Sequence, residues 1–336
     1  MQIGILEADG FSPEALACLQ RLGEVRTYDD SDLPAFLAPL DVLFVRLAHR
    51  IDGAFLSMSP RLRWLCSPTT GHNHIDEAAL SARGICLLSL RGEREFLETI
   101  RATPEHTFGL VIALLRRYRR AFDDVAGGKW DRDACRGEEL RGNRVGIVGL
   151  GRVGYRLASY FSAFGAHVTW CDPADVPSLP EWKRSPDIHG LIETSRIVVL
   201  CASYHAGQPP VIGRKEVDAM EGRYFINTAR GELVDEDALL AAVRLDRLAG
   251  VAIDVITDEN GKNRLAEWRA LLPGRNLIVT PHIAGATFDS MARTERFITD
   301  KLLVSAMADG SDIHSRGNID PKQMNWNQAA YRTGPC

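Results

Sequence analysis

The sequence has no CxxC pair, no long apolar run and no excess of positive charge. Its cysteines stand singly, at Cys18, Cys66, Cys86, Cys135, Cys171, Cys201 and Cys336. An odd, dispersed set makes a poor disulfide framework and suits a reducing, cytoplasmic setting. No His or Cys pair at ligand spacing meets an acidic neighbour, so no metal is expected. The longest apolar run, Phe108 to Leu115, falls far below the roughly 20 residues that span a bilayer. The stretch Met1 to Asp9 lacks a basic region followed by a signal-length apolar stretch, so secretion and membrane insertion are not expected. Lys and Arg total 40 against 44 Asp and Glu, a net charge of −4, which gives no general attraction for nucleic-acid phosphates. The one basic cluster, Arg116-Arg117-Tyr118-Arg119-Arg120, reads as a solvated helix face.

What is present is globular and large. Hydrophobic residues make up 45% and charged residues 25% of 336 positions, enough for two domains at roughly 150 residues each. Short apolar runs alternate with helix-like stretches. Strands are predicted at Ile3–Leu6, Val42–Val45, Trp64–Cys66 and Ile85–Leu88, with Ser12-Pro13-Glu14 opening a helix to about Leu22. A long helix is predicted from Pro104 to Phe122, followed by the breaker Gly127-Gly128. A second series of six strands begins at Arg144 and ends at Leu277–Thr280, and a last helix runs from Phe288 to Asp309. This alternation predicts an α/β fold with parallel, doubly wound sheets. Asn318 to Cys336, poor in periodicity, is expected to be a mobile tail or an arm that orders on a neighbouring surface.

Gly149-Leu150-Gly151-Arg152-Val153-Gly154 is a GxGxxG motif between the apolar run Val145–Val148 and a helical pattern from Tyr155 to Phe164. That context is what dinucleotide binding requires. Gly149 allows the tight turn, Gly151 lets a pyrophosphate approach the backbone, and Gly154 permits close helix–strand packing. The helix start at Arg152 and Val153 offers N–H groups and a partial positive charge to the phosphates. Roughly 20 residues further on, Asp172 ends the next strand, where a carboxylate accepts from ribose hydroxyls and repels a 2′-phosphate. Pro173, Ala174 and Asp175 follow it without Arg or Lys, which favours NAD over NADP.

Three later strand ends carry chemistry: Asn227-Thr228-Ala229-Arg230-Gly231, Asp254 to Glu259, and Thr280-Pro281-His282-Ile283-Ala284-Gly285. Open α/β sheets place ligands at such ends. This order of segments behind this glycine motif resembles the D-isomer-specific 2-hydroxyacid dehydrogenase family, over roughly residues 40–300. The resemblance implies two Rossmann-like doubly wound domains, with an NAD-binding domain (104–287) inserted into a substrate domain (1–103 and 288–336). It implies hydride transfer between nicotinamide and a D-2-hydroxy or 2-oxo acid. Arg230 then holds the substrate carboxylate, a task that suits its planar fork, His282 is the acid/base, and Glu259 is the partner that orients the imidazole. Glu267 is a rival for that last role, because Asn260 stands where the family has Pro. Thr228 and Asp254 match cofactor-contacting positions, and Thr70 and Gly71 match the loop whose backbone receives the substrate carboxylate. Arg46 and Arg91 are candidates for a second anionic group of the substrate. A homodimer through roughly Thr107 to Leu140 is also implied. Two other readings share the scaffold: a dinucleotide-sensing protein resembling the C-terminal-binding corepressors, and a dehydrogenase of a non-hydroxyacid donor.

Overall fold

The computed structural model describes residues 1–309, so the expectation for Asn318 to Cys336 lies outside the described residues. The described chain divides into two compact units, one of Met1–Thr99 with Phe288 to Asp309, the other Ile100–Thr287.

In the first unit five strands form one sheet: β1 (Gln2–Ile5), β2 (Glu24–Thr27), β3 (Val42–Phe44), β4 (Trp64–Ser67) and β5 (Cys86–Ser89). Their order is β2-β1-β3-β4-β5 with every neighbour parallel. The apolar runs form the buried strands β1, β3 and β4 because parallel strands are covered on both faces. Strand β2, Glu-Val-Arg-Thr, was not predicted, since an exposed edge strand needs no apolar run. The helix Pro13–Leu22 starts as its sequence predicts, with Ser12 Oγ accepting from the Ala15 N–H at 3.3 Å.

The C-terminal helix, Phe288–Ala308, completes this unit. Its Phe297, Ile298, Leu302 and Ala306 join a core with Ile3, Ile5, Phe44 and Trp64. The same helix buries Glu295, whose Oε2 accepts from the Ser12 N–H at 2.7 Å across 283 residues of sequence.

The second unit carries β6 (Arg144–Val148), β7 (His167–Cys171), β8 (Lys183–Arg184), β9 (Ile197–Leu200), β10 (Tyr224–Asn227), β11 (Gly250–Ile253) and β12 (Leu277–Val279). The sheet order is β12-β11-β10-β9-β6-β7-β8, again parallel throughout. Counted from β6, this is the doubly wound order 3-2-1-4-5-6 with one strand added at the far edge. Six strands were predicted and seven are present. The additional one, β8, is an exposed pair of basic residues at the edge, which no hydrophobic pattern marks. Along β9, Ile197 and Val199 enter one core while Val198 and Leu200 enter the other, as alternation in a sheet covered on both faces demands.

The long helix predicted over 104–122 is two helices, Ala102–Leu115 and Tyr118–Ala126, separated by Arg117 in the left-handed region at φ 53°. Leu110, Val111, Leu114 and Leu115 of the first are buried against the sheet, whereas the second buries none of its residues. The break lets the chain leave the core, and the helical spacing on either side does not record it.

Candidate active site

In the second unit β6 and β9 are neighbours, and the order reverses between them, leaving a crevice beyond their carboxyl ends. The glycine loop lines it. Gly149 stands at φ 93°, and a Cβ there would lie 2.8 Å from Ala202 Cα. A Cβ on Gly154 would lie 2.1 Å from the Gly149 carbonyl oxygen, so the helix Arg152–Ala163 approaches its strand as closely as only glycine allows. A Cβ on Gly151, by contrast, would meet nothing within 4 Å. The residues therefore fit a dinucleotide: open space lies over Gly151, and the helix that starts at Arg152 and Val153 turns its positive end toward it.

Asp172, at the end of β7, accepts from the Leu150 N–H at 2.8 Å with one oxygen and from the Ala174 N–H at 2.9 Å with the other. The carboxylate is thereby fixed beside the glycine loop, and each oxygen retains a lone pair for a ribose hydroxyl. The sequence around Asp172 shows no cation, but the fold brings one. Arg184 reaches from β8 to the carbonyls of Asp172 and Ala174, at 3.3 and 3.2 Å, and to Asp175 Oδ1 at 2.9 Å. Asp175 neutralises it there.

The Arg230 loop is set by Asn227, whose amide accepts from the Ala229 N–H and donates to the Arg230 carbonyl, both at 2.9 Å. Gly231 then packs against the next loop, since a Cβ on it would lie 2.1 Å from the Ile256 carbonyl carbon. This brings Arg230 into electrostatic reach of Glu259, three residues beyond Ile256. Burial pulls the Arg230 pKa below its ordinary value, and Glu259 and Glu232 pull the other way. An arginine remains charged under such a pull, so the result is a poorly hydrated cation. One of its N–H groups donates to the Ala229 carbonyl at 2.6 Å; the rest of the fork makes no hydrogen bond among the described residues.

Glu259 is held by a tight turn, in which Asp258 adopts φ 52° and its carboxylate accepts from the Lys262 N–H at 2.8 Å. Glu259 Oε2 lies 2.6 Å from His282 Nδ1. A carboxylate only accepts, so Nδ1 carries the proton of this bond. Nε2 then faces away from the pair and makes no hydrogen bond among the described residues. Glu267, the rival, is paired with Arg264 at 2.6 and 2.8 Å instead.

His282 itself sits at φ 54°, a left-handed conformation that costs an L residue about 1–2 kcal/mol. Asp254 holds the turn there. It is buried, its carbonyl accepts from the His282 N–H at 2.8 Å, and its carboxylate accepts from the Ile283 and Ala284 N–H groups at 2.9 and 2.8 Å. Thr280 Oγ1 donates to the same carboxylate at 2.5 Å. Burial opposes ionisation of Asp254, but the hydrogen bonds from His106, Thr280, Ile283 and Ala284 outweigh it and hold its pKa below the ordinary carboxylate value.

Two residues of the helix Ala102–Leu115 brace these loops, and sequence reasoning missed both. His106 Nε2 lies 3.3 Å from Thr280 Oγ1, and Thr107 Oγ1 lies 2.7 Å from Thr228 Oγ1. Nothing in the sequence marks them, because their partners lie 174 and 121 residues away.

The first unit carries the other four predicted residues. Thr70 is exposed and Gly71 half-buried in the loop after β4, where Thr69 Oγ1 donates to the Gly71 carbonyl at 3.1 Å. Arg46 is bound to buried Glu295 at 2.6 Å and to the Asp9 carbonyl at 2.9 Å. Arg91 meets Glu77 at 2.8 Å, with 56% of its side chain still exposed. Among the described residues no three His, Cys, Asp or Glu cluster to hold a metal ion, and no helix is long and apolar enough to cross a membrane.

Comparison with known proteins gives the following. A family model described as D-isomer specific 2-hydroxyacid dehydrogenase, NAD binding domain, matches residues 108–284, and the corresponding catalytic-domain model matches residues 5–93. A glyoxylate reductase of Thermofilum pendens is 29% identical over 303 residues, covering 86% of this chain and 87% of the relative. A D-3-phosphoglycerate dehydrogenase of Archaeoglobus fulgidus is 27% identical over 94% of this chain, which spans only 59% of that protein's length. The crystal structure of D-lactate dehydrogenase from Aquifex aeolicus, complexed with NAD and lactic acid, is 26% identical with a TM-score of 0.77, covering 92% of this chain and 96% of that one.

Proposed function

The chain belongs to the D-isomer specific 2-hydroxyacid dehydrogenase family, and from that premise we propose that it catalyses NAD-dependent hydride transfer between a D-2-hydroxy acid and its 2-oxo acid. The observation that carries the reading is the His282–Glu259 pair at 2.6 Å, with the partly desolvated cation of Arg230 in electrostatic reach of the same glutamate.

Nicotinamide, when bound, supplies or accepts the hydride. The chain's own residues do the rest. Arg152 and Val153 at the helix start receive the pyrophosphate over Gly151, in the turn that Gly149 and Gly154 shape, and Asp172 receives the ribose diol. Arg230 binds the substrate carboxylate through the uncommitted part of its fork and polarises the neighbouring carbonyl. His282 Nε2 gives a proton to the carbonyl oxygen on reduction, or takes one from the hydroxyl on oxidation. Glu259 keeps the ring in the tautomer and orientation that leave Nε2 available, and stabilises the imidazolium. Thr228 and Asp254 lie on the cofactor side; both also hold their loops in place.

On the substrate side, Thr70 and Gly71 offer backbone to the carboxylate, and Arg91 is the group suited to a second anion, such as a phosphate or a distal carboxylate. Its pair with Glu77 is exposed, 56% and 48% of the two side chains, and can open to an anion, whereas Arg46 is bound to the buried Glu295. The chain is a homodimer in this reading. Phe122 and Val125 of the helix Tyr118–Ala126, 66% and 58% exposed, and Trp130, 91% exposed, support it as a face for a second copy. The cysteines among the described residues form no disulfide, which suits a cytoplasmic enzyme.

The test is NADH oxidation across a panel of 2-oxo acids with and without a second anionic group. Turnover is expected, with kcat/KM higher for the dianionic members and lowered for them alone by Arg91→Ala. Absence of turnover with every member sinks the reading.

A further inference from the structure

Thr280 has one hydroxyl proton, and its 2.5 Å bond directs that proton to Asp254 Oδ1. The hydroxyl oxygen can then only accept from His106, whose Nε2 lies 3.3 Å away and 3.5 Å from Asp254 Oδ1. The network therefore assigns the His106 ring proton to Nε2, pointed into the fork between Thr280 and Asp254. These are the two groups that anchor the His282 turn at its start and along its length. Asp254 is buried and His106 retains 21% exposure of its side chain, so this donor is part of what keeps an otherwise desolvated carboxylate ionised and in place.

We propose that His106 is a positioning residue for proton transfer: its Nε2–H fixes the Thr280–Asp254 pair, and through it the left-handed backbone of His282. The inference rests on the dehydrogenase reading for its consequence and on the hydrogen bonds for its cause. His282 is separated from Thr280 by Pro281 alone, and the Ile283 and Ala284 N–H groups bind the same carboxylate. A loosened carboxylate thus frees both sides of the His282 backbone. A side chain displaced by a fraction of an ångström from its reacting atom loses rate, while the dinucleotide contacts at the glycine loop are untouched.

The test compares His106→Leu with His106→Gln, whose amide nitrogen can donate from nearly the place of Nε2. The Leu variant is expected to lower kcat by about tenfold or more, with the Kd for ADP-ribose, the part of the cofactor assigned to the glycine loop and Asp172, within about twofold of the parent. The Gln variant should restore kcat to within about threefold. Amide hydrogen exchange at Ile283 and Ala284, followed without substrate or cofactor, should quicken by about tenfold in the Leu variant only. If the Leu variant does not fold, His106→Asn, polar but too short to reach Thr280, replaces it with the same expected loss. A kcat within twofold of the parent, or equal losses in the Leu and Gln variants, overturns the proposal. If the parent itself turns over no 2-oxo acid, the dehydrogenase reading fails, and the exchange at Ile283 and Ala284 still decides the hold that His106 exerts.

Discussion

At the end of β3 in the first unit the charged side chains close on one another. Arg46 meets Glu295 of the C-terminal helix at 2.6 Å, and both side chains are largely buried. At two strand ends of the second unit the side chain keeps one reactive side uncommitted. Arg230 binds a carbonyl with one N–H group, and His282 binds Glu259 with one ring nitrogen. Both sheets are parallel and doubly wound, so the architecture alone does not distinguish them. The difference lies in what surrounds each charge. A complete ion pair beneath a packed helix holds a fold together, whereas a cation and an imidazole with open donors can receive a substrate.

Substitutions that separate holding from reacting sharpen this contrast. His282→Ala is expected to lower kcat by about 10²–10⁴ while leaving the unfolding midpoint nearly unchanged, as steady-state kinetics and thermal melting together will show. Arg230→Lys keeps the charge and loses the fork, so kcat/KM for the 2-oxo acid should fall by about 10²-fold with NADH affinity preserved in a fluorescence titration. Arg46→Ala reverses the pattern: it strands buried Glu295 and should cost about 3–5 kcal/mol in denaturant unfolding, with kcat of the remaining folded protein close to that of the parent. A stable Arg46→Ala protein with a raised substrate KM would instead move Arg46 into the substrate site and blur the contrast. The smallest effect is expected from Asp172→Ala, which removes the ribose acceptor and should narrow the preference for NAD over NADP by about tenfold in kcat/KM. An unchanged ratio would show that Asp172 serves only its bonds to Leu150 and Ala174.

Where the signal was local, the sequence was readable. The GxGxxG turn, the Ser12 cap and the buried strands follow from spacing, from glycine's lack of a Cβ and from apolar runs, all properties of a few consecutive residues. Strands β2 and β8 escaped because an exposed edge needs no apolar side chain, and the helix break at Arg117 escaped because either side keeps a helical period. In the site, Arg230, Glu259 and His282 were legible as three segments in a recognisable order. Glu259 was preferred to Glu267 from that order, but its bond to His282, 23 residues on, is not written in either segment.

By itself the sequence determined the parallel α/β architecture, the dinucleotide turn and the identity of the groups able to carry charge or a proton, because each depends on chemistry within a short stretch of chain. Only the tertiary structure decided which of those groups are committed. Arg46 finds Glu295 across 249 residues, and His106 finds Thr280 across 174. A hydrogen bond or ion pair forms only where folding has removed competing water and fixed both partners, and no pattern along the chain records that meeting.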